Sequence, residues 1–151
     1  MVPDIRSTDL PMFACGSATA RLNLREDGIC VIELGGVFTP DTLHISAEAN
    51  VAAVALGARG VIYQGKRAVL AARLDDWMGR SRALLARDCD VPAAYVCSEI
   101  DHPLMVELAR KVAQRGFVRA AFTSMGAAFC WVLRQARMAE ALRHRVRPRA
   151  A

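Results

Sequence analysis

The stretch Ile29-Cys30-Val31-Ile32-Glu33-Leu34-Gly35-Gly36-Val37-Phe38-Thr39-Pro40-Asp41-Thr42 decides the fold. Its first six residues form an apolar run broken only by Glu33, which reads as a buried strand. Thr39-Pro40-Asp41 then opens a helix, with Thr as N-cap, Pro in the first position and an acid in the first turn. Upstream, Leu22 and Leu24 alternate with Arg21, Asn23 and Arg25, the pattern of a half-exposed strand, and Glu26-Asp27-Gly28 joins the two strands as a hairpin turn. Downstream, Leu43, Ala47, Val51, Val54 and Ala55 recur at helical spacing until Gly57 closes the element.

The alternation continues to the end of the chain. Val61-Ile62-Tyr63 reads as a short strand, followed by the turn Gly65-Lys66-Arg67 and an apolar patch, Ala68-Val69-Leu70. A helix is expected from Leu74, with Leu74, Trp77, Met78, Ser81 and Leu85 on one face and Asp75-Asp76 at its start. Pro92 to Cys97 is a strand, a third helix runs from Asp101-His102-Pro103 to Gly116, and Val118 to Phe122 is the last strand. Thr123 or Ser124 caps a long terminal helix. The order ββαβαβαβα predicts an α/β fold: a mixed, mostly parallel five-stranded sheet with about four helices, the N-terminal hairpin supplying an antiparallel edge.

Composition agrees with a single packed domain. The chain has 151 residues, 54% of them hydrophobic and 23% charged, enough to enclose a core without disulfides or metal. Its longest strongly apolar uncharged run, Ala120 to Leu133, is short of the roughly 20 residues of a spanning helix. The net charge of +5 is concentrated after position 133, where six arginines face Glu140 alone, so residues 1–133 balance. No aromatic residue lies among those arginines to stack on a base, so a solvated helix end is expected rather than a nucleic-acid site. Five cysteines (Cys15, Cys30, Cys89, Cys97, Cys130) lack C-x-x-C spacing, which argues against zinc and for reduced thiols in a cytoplasmic protein. Met12-Phe13-Ala14-Cys15-Gly16 has the order of a lipoprotein cleavage site, but Asp4, Arg6 and Asp9 stand where an export signal needs an apolar stretch. Residues 1–17 are therefore expected to be a loose leader.

The order of a hairpin, Gly35-Gly36-Val37-Phe38-Thr39-Pro40-Asp41-Thr42, a helix and Gly57-Ala58-Arg59-Gly60-Val61-Ile62 resembles the STAS domain, shared by sulfate transporters and anti-sigma-factor antagonists. Val91 to Val96, Arg115-Gly116-Phe117 and Val118 to Thr123 resemble its C-terminal half. The resemblance covers residues 18–138, with 139–151 as a basic C-terminal extension. It implies a SpoIIAA-like regulatory domain. In that family an Asp-Ser-Ser/Thr-Gly-like segment after the central strand carries the hydroxyl that a kinase phosphorylates. Here that place holds Ala71-Ala72-Arg73-Leu74-Asp75, and no Ser or Thr occurs between Ser46 and Ser81. The resemblance therefore implies the scaffold without the phosphate-borne charge that operates the switch.

No residue pattern states a reaction. Cys97 with His102 could form a thiol nucleophile acidified by a helix N-terminus, but a buried strand cysteine explains the same residues. Gly57-Ala58-Arg59-Gly60 and Gly65-Lys66-Arg67 lack P-loop or dinucleotide spacing. Asp75-Asp76 and Glu99-Asp101 sit where helices begin and suit the helix dipole. Trp77 and Trp131 fall on apolar helix faces; core packing is the simpler reading, although Trp77 follows the loop that STAS proteins present to partners. The reading is a non-enzymatic module with no cofactor, binding a protein partner through Lys66, Arg67, Arg73, Asp75, Asp76 and Trp77. The alternatives are a small-molecule or lipid-binding domain with an apolar ligand near Ala68 to Leu70, and a thiol enzyme using Cys97. An open sheet edge also leaves a homodimer open.

Overall fold

The computed structural model describes residues 10–85 and 90–146. Its strands are β1 (Met12–Cys15), β2 (Ala18–Leu24), β3 (Ile29–Phe38), β4 (Gly60–Gln64), β5 (Ala68–Leu70), β6 (Ala93–Val96) and β7 (Arg119–Phe122). The helices are α1 (His44–Ala55), α2 (Leu74–Leu85), α3 (His102–Ala113) and α4 (Met125–Val146). The sheet order is β1-β2-β3-β4-β6-β7, with β5 beside the far end of β3. The β1/β2 and β2/β3 pairs are antiparallel and the rest parallel. The mixed α/β architecture with four helices is as expected.

The sheet has seven strands rather than five. The first extra strand lies inside the expected leader: Met12–Cys15 pairs with Ala18–Arg21. Backbone hydrogen bonding holds it, and its residues are exposed or half-exposed. The second is the patch Ala68–Leu70, which pairs in parallel with Gly36–Phe38. β3 can serve both β4 and β5 because Gly36 turns the strand at φ 75°. A Cβ there would stand 1.8 Å from the Ser17 carbonyl oxygen, so only glycine fits. At the other end α4 continues through Val146, so one helix crosses the expected boundary at 138.

Side-chain alternation along β3, β4 and β6 feeds two cores. Cys30, Ile32, Val61, Tyr63, Ala93 and Tyr95 face α1, α2 and α3. Ile29, Val31, Ile62, Ala94 and Val96 face α4, which meets them with Ala128 and Val132. The sheet is thus covered on both faces, as parallel crossovers require.

α1 departs from its sequence reading in two ways. It begins at His44 rather than beside Pro40, because Thr42 Oγ1 accepts from Thr39 N–H at 2.9 Å and holds residues 39–43 in a turn. Ala47 is buried as expected, but the rest of its buried face is Ile45, Ser46, Ala49, Asn50 and Ala53, while Val51 and Val54 stay half-exposed and Ala55 is exposed. Small residues let the helix lie close to the sheet. Asn50 is drawn in because its Oδ1 accepts from the Tyr63 hydroxyl at 2.8 Å.

Candidate functional site

The expected partner-facing residues cluster at the C-terminal ends of the parallel strands. β4 ends in the turn Gly65–Ala68, whose tip residues Lys66 and Arg67 are exposed. Gly65 N–H donates to Val96 O at 2.7 Å, which seats this turn beside the Ser98–Asp101 loop after β6. Arg73 and Asp75 are exposed at the start of α2. Asp76 caps that helix instead of presenting its charge: its Oδ2 accepts from the Arg73 backbone N–H at 2.9 Å, half of a capping box. The cap uses the Arg73 main chain, which leaves its side chain free to be substituted.

Trp77 does not join that surface. It is 3% exposed and belongs to the core between α2 and the sheet, because it lies on the α2 stripe with Leu74 and Met78 that the fold turns inward. Trp131 packs beside Phe122 on the opposite face, ring centroids 5.8 Å apart.

The structure adds residues that the sequence reading overlooked. Ile100, in the loop beside the Lys66 turn, is 91% exposed. Val37 and Val69 are neighbours across β3 and β5, and both are exposed. The strand ends and the loops after them therefore carry the exposed apolar residues Val37, Val69 and Ile100 together with the exposed charges Lys66, Arg67, Arg73, Asp75 and Glu99. Exposed aliphatic groups ringed by charge suit a protein interface.

Cys97 sits in the core rather than at a reactive surface. It is 1% exposed, and its Sγ points at Phe122 O, 3.7 Å away. Burial first, and the nearby Asp101 carboxylate second, push its thiol up to about 11, against a smaller opposing pull from Lys66. The sign is opposite to the acidification that a nucleophilic cysteine needs. Asp101 is engaged with Ser98, whose hydroxyl donates to Asp101 Oδ2 at 3.2 Å. Arg59, at the other end of the sheet, is a clamp on α4: Nε and Nη2 donate to Glu140 at 2.5 and 2.7 Å. The four described cysteines are free, and Cys89 lies outside the described residues.

Below the surface, between the sheet and α1, α2 and α3, lies a cavity of about 20 Å³, room for about one water. That size leaves no space for the apolar ligand considered from Ala68 to Leu70, although Leu70 does line it. Arg80 also reaches this cavity. It is 9% exposed, and its Nε and Nη1 have no hydrogen-bond partner. The guanidinium carbon lies 5.0 Å from the Trp77 ring centre and 5.9 Å from that of Tyr63. Such ring contacts are worth about 1–2 kcal/mol, less than the several kcal/mol of desolvating an ion. Arg80 went unnoticed in the sequence because it lies on the flank of the α2 apolar stripe; its place one turn after Trp77 is the signal that was available.

No family model and no curated protein sequence matches the chain. Among solved structures it is similar to an anti-sigma factor antagonist from Mycobacterium paratuberculosis, at 15% identity and a TM-score of 0.56, over 79% of this chain and 97% of that one. An uncharacterised protein with a SpoIIAA-like fold from Shewanella loihica aligns at 11% identity and a TM-score of 0.49, over 80% of this chain and 98% of that one. Hairpin, crossovers, helices on both faces and the likeness to the antagonist agree: the chain has the STAS fold, the fold of an anti-sigma factor antagonist.

Proposed function

We propose that this chain is a non-enzymatic, cytoplasmic regulatory domain that binds a protein partner at the C-terminal ends of its parallel strands, without a phosphorylation switch. The observation that carries the reading is the exposed surface formed by Lys66, Arg67, Arg73 and Asp75 with Ile100 and Val69 beside them, on the fold of a protein described as an anti-sigma factor antagonist. The stretch Ala71 to Asp76 offers no hydroxyl to a kinase, so partner choice rests on shape and standing charge rather than on added phosphate. Among the described residues no helix is long and apolar enough to cross a membrane. Fold alone does not assign function, so the reading stands on this surface.

The test is quantitative capture of partner proteins with Arg73→Glu and Arg115→Glu variants. Arg115 is exposed just after α3, away from this surface. Arg73→Glu should reduce recovery of a specific partner at least tenfold, and Arg115→Glu should leave it unchanged. Equal recovery with Arg73→Glu and with the Lys66→Glu/Arg73→Glu double variant would refute this surface as the contact.

A further inference from the structure

We propose that the C-terminal half of α4 is a peripheral membrane-binding element that lies along an anionic lipid surface, a role independent of the partner surface. Ala136 is the last residue of α4 buried against the domain. The helix runs on to Val146, about 15 Å further at 1.5 Å per residue, and Ala141 to Val146 are exposed in succession. Met138, Leu142 and Val146 follow one another at one-turn spacing, each more than half exposed. The arginines of this segment alone suit a solvated helix end; the apolar line between them calls for a cover.

Charge selects that cover. Helical periodicity sets Arg134 and Arg145 along one border of the line and Arg143 along the other, with Arg137 further round. All four are exposed, and none has an ion-pair partner among the described residues. The one acid of α4, Glu140, is already held by Arg59. A second copy pairing helix to helix would set arginines against arginines. A nucleic acid would take the guanidinium groups and leave Met138, Leu142 and Val146 in water. Anionic lipid meets both demands, because its phosphates take the arginines while the apolar line enters the boundary with the acyl chains. An acidic protein groove offers the same two chemistries. Arginines of one sign on both borders, and half-exposed Trp131 two turns before Met138 on the same line, suit head-group depth better. The helix then lies on the bilayer rather than across it.

The test is cosedimentation of the full chain with phosphatidylcholine vesicles, with and without about a third of phosphatidylglycerol. Binding to the anionic vesicles should be saturable and at least tenfold tighter than to the neutral ones. Arg134→Gln/Arg145→Gln should weaken it at least tenfold, since each charge near the surface contributes about fivefold. Met138→Gln/Leu142→Gln keeps every charge and should also weaken it at least tenfold. All four side chains are exposed, so these variants keep the fold. No binding, equal binding to both vesicles, or binding that Met138→Gln/Leu142→Gln leaves unchanged would overturn the assignment. Capture of one acidic protein by a photoreactive residue at position 142, with no vesicle binding, would overturn it in favour of a protein groove. A lipid-free dimer that Met138→Gln/Leu142→Gln dissolves would overturn it in favour of a second copy. Failure here leaves the Arg73 capture result untouched, so the two readings fall separately.

Discussion

Gly60→Ala is a stringent test of how α4 sits on the sheet. Gly60 begins β4, and a Cβ built there would lie 2.4 Å from Val132 Cγ1 and 3.1 Å from Ile29 Cδ1. Val132 is fully buried in the core between α4 and the sheet, and a helical valine has one strongly preferred rotamer. It cannot swing aside, so the helix must shift, at about 1–3 kcal/mol for overpacking. Val132→Ala removes two buried methyl groups, about 0.8 kcal/mol each plus a cavity contribution, so about 2 kcal/mol. The double variant should cost no more than Val132→Ala alone, because the new methyl at position 60 occupies the space that Cγ1 vacated. Urea denaturation of the two single variants and the double variant measures this as a coupling of about 1–3 kcal/mol, the full cost of Gly60→Ala. At this chain length the Gly60→Ala midpoint should fall by about 2–4 °C per kcal/mol and recover in the double variant. Additive costs would refute the packing of α4 over Gly60 and with it the two-faced sheet.

Three further outcomes follow from the same structure. Maleimide labelling at neutral pH should modify exposed Cys130 rapidly and leave Cys30 and Cys97 unmodified until the chain is unfolded, as peptide mapping would show. Burial raises both Cys30 and Cys97 from 9.0 to about 11, so the folded chain keeps protons that the unfolded chain releases. Stability should therefore be intact below about pH 9 and decline as pH rises towards 11, and Cys97→Ala should flatten that decline in urea titrations. Glu140→Gln breaks a pair whose side chains are 35% and 43% exposed; it should cost under about 1 kcal/mol, less at high salt, as denaturation at two salt concentrations would reveal.

How much of this was legible in the sequence can be traced residue by residue. The crossover pattern was readable because each parallel strand is an apolar run between glycine-marked turns; Gly28, Gly57 and Gly116 take up the positive φ expected of them. The start of α2 at Leu74 was readable from the acids of its first turn, Asp75 and Asp76, of which Asp76 makes the cap. β1 was not, because it is held by main-chain pairing and shows little burial contrast. The rotation of α1 was hidden because its helix is apolar nearly all round, and the Asn50–Tyr63 hydrogen bond that accompanies the inward face is a long-range event. The candidate surface was half visible. Lys66, Arg67, Arg73 and Asp75 were found from their place after the central strand. Ile100 and the Val37–Val69 neighbours depend on which loops and strands the topology brings together. Trp77 and Arg80 show the same limit: whether a side chain at the edge of a stripe is buried depends on the helix opposite it, here α3 against α2.

Site-specific photo-crosslinking tests the central claim most directly. A photoreactive residue placed at position 73 should yield a discrete adduct with one protein partner in living cells, and the same residue at position 115 should yield none. Adducts from position 115 alone, or no adduct from 73 while the chain is folded and expressed, would contradict a partner surface at the strand ends.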